Sequence, residues 1–380
     1  MEFNLNEDQQ AFADSARALF GDYCSDEQLR RHDEGAEPFM PDLWQQCIAN
    51  GLHGVLIGEA QGGLGLGMTE LLAVLQEQGR ALALVPLWEH QLAAAAVQHH
   101  APALGDVVAA AAEGRTLLTL SLDSLAAAHG PALRATRAGD AWRLDGLCAA
   151  VPLAAQSQHA LLPVLADGVV RLVLLDLSLP GIGRAEGRTQ HHLAVADLRL
   201  QGVQVGAGAL LDVAALDWVE PRAVACLAAL QLGVSMQQLQ RTVQYVSERK
   251  QFGRVIGSFQ LVAGQMADGH IACEALRSAL AQLVYRLDAG LGCAAPALAV
   301  KVLATDAGHL VGHKAQHVHG GIGVDISYPI HRFLYWSRAL GSTLGGSEAS
   351  LQRLGDWLAG HDTLGWKYDL PEDSGAAHAL

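Results

Sequence analysis

The spacing of apolar positions changes twice along the chain. Up to about residue 115 it is helical: Phe12, Ala16 and Leu19 share one face of a helix that Asn6 can cap, and Glu7 and Asp8 at its start suit a helix N-terminus. LWQQCIANGLHGVLI then leads into a glycine-dense loop, GEAQGGLGLGMTE. Thr69 through Leu82 reads as an apolar helix whose Gly79 signals close packing, and an alanine-rich segment runs from Gln91 to Ala112. Near Thr116 the helical period gives way to alternation. LRATRAGDAWRLDG alternates about Ala138-Gly139-Asp140 and predicts a hairpin, while GVVRLVLLDLSLPG and LAVADLRLQGVQV read as strands. From about Asp217 the spacing of three and four returns, in Leu227, Leu230 and Val234, in Phe259, Val262 and Met266, in Leu276, Leu280 and Leu283, and in Leu351, Leu354 and Leu358. With a helix predicted near 296–317, these make four long amphipathic helices, enough for an antiparallel bundle. The expected class is α+β: an N-terminal helical domain over 1–115, a middle β-domain over 116–212 and a C-terminal four-helix bundle over 213–380.

Composition narrows this picture. The 380 residues are 51% hydrophobic and only 17% charged, which excludes disorder and leaves room for large buried subunit interfaces. Twenty-five Lys and Arg against 39 Asp and Glu give a net charge of -14. That balance argues against general binding to nucleic acid or a membrane surface, although an anionic ligand could bind at a local basic site. The cysteines (Cys24, Cys47, Cys148, Cys226, Cys273, Cys293) form no CxxC pair and read as reduced, mostly buried thiols. The start, MEFNLNEDQQ, lacks the basic patch and apolar run of a signal peptide, and no apolar stretch approaches the ~20 residues of a membrane span. A cytoplasmic location is the expectation.

Two segments carry candidate chemistry. In YVSERKQFGRVIGSFQ, Arg249 and Phe252 are expected to end one helix, Gly253 to allow the turn and Phe259-Gln260 to open the next. An arginine at such a turn can hold a phosphate group bidentately; taken alone, it also reads as a solvated helix end. About 60 residues later, in QHVHGGIGVDISYPIHRFLYWSRA, Gly320, Gly321 and Gly323 would let backbone approach a ligand closely. His309, His313 and His317 recur every four residues after Asp306, a spacing that can present metal ligands from a bundle. The Glu-x-x-His pairs of carboxylate-bridged di-iron bundles are absent, so no metal is expected and the histidines read as stacked near a subunit interface. The pairs at 99–100 and 191–192 read as solvated loop ends.

RxxFG…FQ followed by HGGxG…YP at this separation resembles the FAD-dependent acyl-CoA dehydrogenase family. The resemblance runs along the whole chain: FNLNEDQQAFADSARALF looks like the family's opening helix, LWQQCIANGLHGVLIGEAQGGLGLG its glycine-rich loop, LQEQGRALALVP its next helix, and WRLDG a flavin-side strand of a β-barrel-like middle domain. It implies FAD lying between the β-domain and the bundle and shared by two subunits. Arg249 would contact the pyrophosphate of the neighbour's flavin, with Phe252 and Gln260 nearby, and Gly320 and Gly321 would line the phosphate region. His317 stands where the family has Gln, with Gln316 beside it.

The implied reaction is α,β-dehydrogenation of an acyl-CoA: a carboxylate takes the α-proton while flavin N5 takes hydride from the β-carbon. The family's base sits in a Glu-Gly-Thr motif before the last helix, and GSTLGGSEAS places Gly345 there, followed by Gly346 and by Ser347 on the cofactor side. The minority position, early in the first bundle helix, is Ala223. Glu220, one turn away, and Glu348 are displaced candidates; each also reads as an ordinary carboxylate near a helix start. In the β-domain, LSLDSLAAAHG replaces the family's TEP…GSD flavin segment. Ala150-Val151-Pro152-Leu153 replaces Trp-Ile-Thr/Ser-Asn, which leaves Val151 at a flavin-side position and Pro152 without an N–H to offer.

The chain looks similar to the base-lacking subunit of heteromeric α2β2 dehydrogenases that act on bulky CoA thioesters such as steroid side chains. The partners implied are an acyl-CoA substrate, a homologous catalytic subunit and electron-transfer flavoprotein or a similar acceptor. A self-sufficient homotetramer using Glu220, and a scaffold subunit that has lost FAD, are the alternatives.

Overall fold

The computed structural model describes residues 5–361; residues 1–4, where the polar start begins, and 362–380, the end of the expected third domain, lie outside them. Helices come first: α1 (Glu7–Tyr23), α2 (Asp26–Glu34), α3 (Pro41–Ala49), α4 (Met68–Ala81), α5 (Leu87–His100) and α6 (Gly105–Ala112). Strands follow: β1 (Leu118–Leu120), β2 (Arg134–Ala138), β3 (Ala141–Pro152), β4 (His159–Ala166), β5 (Val169–Asp176), β6 (Ile182–Arg188) and β7 (Ala194–Gly206). Then come α7 (Ala214–Glu248), the small strands β8 (Lys250–Gln251) and β9 (Arg254–Val255), and α8 (Gln260–Asp288), α9 (Ala294–His319), α10 (Ile330–Ser342) and α11 (Gly346–Ala359). The expected order of helices, sheet and helices is the observed one. The chain forms two compact units, one of Glu27–Leu71 and Leu84–Ala223, the other of the residues up to Asp26, Leu72–Ala83 and those from Val224 on.

The first unit is built on an open, mixed seven-stranded sheet in the order β1-β4-β2-β3-β7-β6, with β5 paired to β4. The predicted hairpin is present: Ala138 pairs with Ala141, so Gly139-Asp140 is a two-residue turn. Along β3, Trp142, Leu144 and Cys148 face the core. A bulge between Cys148 and Val151 then shifts the alternation by one residue, with Ala150 at φ 50°. Val151 therefore points inward and is fully buried. The alanine-rich segment is two helices, because Pro102 follows α5 and removes a donor from any continuation.

Of the paired histidines, His99 is exposed as expected, while His100, His191 and His192 are half-buried because other segments reach them. His100 Nδ1 lies 3.0 Å from the Asp212 carboxylate, and the His99 ring is 5.0 Å from that of Trp218. His191 bonds the Thr189 hydroxyl, and burial pushes its pKa down to about 3.

In the second unit Asn6 caps α1 through a reciprocal box: Gln9 N–H donates to Asn6 Oδ1, and Asn6 N–H to Gln9 Oε1. Helices α4 and α7 cross at glycines. A Cβ on Gly79 would stand 2.2 Å from the Leu230 carbonyl oxygen, and one on Gly233 would stand 2.0 Å from that of Gln76. Gly79 thus marks the close packing expected of it. Helix α9 packs against α8, α10 and α11.

A further helix, α10, precedes the predicted last one, and Thr343–Gly345 forms a tight turn between α10 and α11, so more than four helices make up this region. Leu227, Leu230, Val234, Leu276, Leu280 and Leu283 are buried as their spacing predicts, but Leu351 and Leu358 on α11 are 52% and 43% exposed. All six cysteines are free and five are buried. No helix among the described residues is long and apolar enough to cross a membrane.

Candidate active site

The last turn of α7 sets up the first half of the site. Helix α7 stops at Glu248, and the Arg249 N–H still donates to the Tyr245 carbonyl while its own carbonyl accepts from Ile256 N–H at 2.8 Å. The chain then makes a miniature hairpin, in which Lys250 pairs with Val255 and Gln251 with Arg254. Its turn residues Phe252 and Gly253 lie at φ 54° and 80°, the left-handed pair that a two-residue hairpin turn requires. Phe252 therefore does not end a helix as expected; it sits at the hairpin tip, 91% exposed. Backbone pairing across the hairpin wins over helix continuation there. Beside it, Phe259 lies under the Arg254 guanidinium at 4.0 Å, and Gln260 opens α8, exposed. Neither Arg249 nor Gln260 makes a side-chain hydrogen bond or ion pair among the described residues.

The second half is the end of α9. Gly320 turns the chain at φ 62° and ψ -138°, a conformation open to glycine, and Gly320–Val324 continues as a 3₁₀ turn. A methyl group on Gly320 or Gly321 would meet no atom within 4 Å, so space lies open above this backbone. Gln316 turns inward beneath the turn: its Oε1 would stand 2.6 Å from a Cβ on Gly323, and both its amide atoms are buried without a partner. His317, expected to face a cofactor, has its Nδ1 3.2 Å from Gln265 Oε1 on α8.

The two halves are clamped together. The Tyr245 and His319 rings stack at 4.2 Å and 18°, with Tyr328 against both. His319 donates from Nδ1 to the Ala315 carbonyl, and burial holds its pKa below the usual imidazole value.

The segment expected to carry the base lies in the same unit. Leu344, Gly345 and Gly346 follow one another at φ 59°, 83° and 72°. Beneath them Lys301, 2% exposed, donates to the Leu340 carbonyl at 2.9 Å and to that of Gly341 at 3.2 Å. A cation here caps the end of α10 and satisfies carbonyls that have no helical partner. The Thr343 hydroxyl donates to the Ala339 carbonyl, and the Ser350 hydroxyl to that of Gly346. No acidic side chain occurs from Gly341 to Ser347; Ser347 is half-buried, and Glu348, the first carboxylate, is exposed in the first turn of α11.

Glu220 and Val151 belong to the other unit. Glu220 is half-buried on α7 immediately before Pro221, and Ala223 is fully buried. The Val151 side chain lies in the sheet core, so a cofactor contact at this position would have to come from its backbone.

Among the described residues no group of three or more His, Cys, Asp or Glu is arranged to hold a metal. The His309 and His313 rings lie 4.3 Å apart, tilted by 46°. Sequence reasoning missed Lys301, which reads as one polar residue in an apolar helix, and the Tyr245–His319 clamp, whose members lie 74 positions apart.

Residues 6–103 match the family description "Acyl-CoA dehydrogenase, N-terminal domain", and residues 222–359 match "Acyl-CoA dehydrogenase, C-terminal domain". The acyl-CoA dehydrogenase FadE27 of Mycobacterium tuberculosis (strain ATCC 25618 / H37Rv) is 32% identical over 373 residues, covering 94% of this chain and 99% of that protein. Among solved structures, a variant of the Tcur3481-Tcur3483 steroid ACAD is 38% identical with a TM-score of 0.89, covering 94% of this chain and 99% of that one. The ChsE4-ChsE5 complex from Mycobacterium tuberculosis is 31% identical, also with a TM-score of 0.89, covering 94% of this chain and 99% of that one.

The chain belongs to the acyl-CoA dehydrogenase family, oxidoreductases that act on the CH–CH group of acyl-CoA with FAD as cofactor. The residues at the hairpin and the glycine turn are chemically compatible with such a cofactor's phosphates: an exposed arginine and an open glycine backbone.

Proposed function

We propose that this chain is a subunit of an FAD-dependent acyl-CoA dehydrogenase that oxidises a bulky, steroid-type acyl-CoA thioester. In this reading it works beside a homologous subunit that carries the catalytic base. The observation that carries it is the turn at Gly345: a left-handed glycine stands at the base position, and no acid lies within the segment. The steroid ACAD and the ChsE4-ChsE5 complex, both matching over 94% of this chain, support a heteromer and a large substrate.

FAD, when bound, accepts hydride from the β-carbon. Arg249 grips its pyrophosphate across the subunit boundary through paired N–H donors, a geometry a lysine could not reproduce. Phe252 and Gln260 cover the same phosphates, and Gly320 and Gly321 let backbone come close. Ser347, beside the vacant acid position, adds a hydroxyl on the cofactor side. Proton removal from the α-carbon falls to the partner's carboxylate, and electrons leave to electron-transfer flavoprotein or a similar acceptor. Free, mostly buried thiols support a reducing compartment, the cytoplasm.

Expression alone and with a base-containing homologue tests this reading. The expected result is flavin and turnover only in the co-purified complex. A yellow, active homo-oligomer whose turnover is abolished by Glu220→Gln would replace the partner by a displaced base. A stable oligomer that stays colourless with every homologue would make the chain a scaffold.

A further inference from the structure

Away from the flavin corner, α9 and α10 enclose a partly open cavity of about 190 Å³. Thr305, His309, His313, Ser337 and Arg338 line it, and Leu334 is its one large apolar wall. The lining includes no carboxylate. Every polar side chain in it can donate a hydrogen bond, and one of them, Arg338, is permanently charged.

Two of these donors are set up for something the chain does not supply. The Thr305 hydroxyl is buried without a partner among the described residues. Ser337, 3% exposed, accepts from Gln231 Nε2 at 3.0 Å, which leaves its own hydrogen to point elsewhere. Arg338 and the two imidazoles converge on the same space. The charges acting on His313 are His309 from its own helix and Arg338 from α10; with burial, the largest cause, they hold its pKa below the usual value. Once protonated, the imidazoles and Arg338 repel one another around this cavity unless an anion joins them. At ~30 Å³ per water the cavity holds about six waters, enough for a phosphate group but too small for a nucleotide.

We propose that this cavity binds a phosphate group, as inorganic phosphate or as the phosphomonoester end of a larger metabolite. Arg338, the Thr305 and Ser337 hydroxyls and the two imidazoles act as its donors. Charge-assisted bonds from a guanidinium fork supply most of the affinity, and the hydroxyls complete a tetrahedral set. The site is independent of Arg249, of the glycine turn and of where the catalytic base lies.

Calorimetric titration of the full-length protein, in the assembly in which it purifies, tests the proposal. Inorganic phosphate is compared with chloride at matched ionic strength. Saturable binding of phosphate alone is expected, tightening as pH falls through the imidazole range. Arg338→Gln should weaken it about tenfold or more, Thr305→Val about fivefold, and His313→Asn should flatten the pH dependence. Should Arg338→Gln fail to fold, Thr305→Val, which keeps shape and charge, carries the test. Glycerol phosphate separates the sources: binding as tight as phosphate assigns a monoester, and much weaker binding assigns the free ion. Phosphate binding no better than chloride, or binding unchanged in both Arg338→Gln and Thr305→Val, overturns the site.

Discussion

The hairpin corner around Arg249 and the turn around Gly345 lie in one compact unit yet are built on opposite principles. At the hairpin the side chains reach outward: the Arg249 side chain has no hydrogen bond or ion pair among the described residues, and Phe252 is 91% exposed in a strained left-handed conformation. At Gly345 the backbone turns inward and is tied down, with buried Lys301 under the carbonyls of Leu340 and Gly341 and hydroxyls closing both flanks. On the proposed function, the first region would hold a cofactor. The second keeps its shape although no acid stands in it. Two tasks then separate: gripping a cofactor would need a few outward residues on a rigid corner, and removing a proton a single carboxylate supplied by a partner.

Restoring the acid would sharpen the contrast most. Gly345→Glu should give this chain's own site a proton acceptor and, in a complex whose partner carboxylate has been replaced by its amide, raise turnover by about 10²- to 10⁴-fold over the same complex with Gly345. The left-handed position costs roughly 1–2 kcal/mol of stability, read from chemical denaturation. If single-turnover flavin reduction is unchanged, the base stands elsewhere.

Next comes Arg249→Ala, which should weaken flavin retention by about tenfold to a hundredfold, read from the flavin-to-protein ratio after dialysis. Equal flavin content would remove the assigned phosphate contact. Lys301→Met should act on the other side of the comparison. It leaves two buried carbonyls short of a donor, so the chain should lose about 2–3 kcal/mol of stability, seen as a lower denaturant midpoint, while its flavin grip stays intact once folded. Loss of flavin without loss of stability would reverse the roles given to the two regions.

The smallest effect on the isolated chain belongs to Phe252→Ser, within about 0.5 kcal/mol in denaturation, because the ring buries so little within it. A large loss of stability would mean that the hairpin tip packs within its own chain.

The two regions were not equally legible from the sequence. Helical spacing located α7, α8 and α9, and alternation found the β2–β3 hairpin, because in each the pattern reflects a single buried face. Phe252 was misplaced at a helix end because an aromatic residue gives no hint of a left-handed conformation; Gly253 carried the only turn signal. The inward turn of the Val151 side chain has no signal in the sequence, because a bulge moves the register of β3 by one residue. On α11, the spacing of Leu351 and Leu358 revealed an apolar stripe but not that the described residues leave it partly exposed. The glycine at 345 was readable as a missing acid, whereas the lysine that braces its turn comes from 44 positions earlier in the chain, a pairing that only the fold creates.

The stacked rings of Tyr245 and His319 make the corner behave as a fixed-width calliper. One jaw is the arginine after α7 and the other is the glycine bend after α9, and neither can drift without prising apart two aromatic faces 4.2 Å from each other.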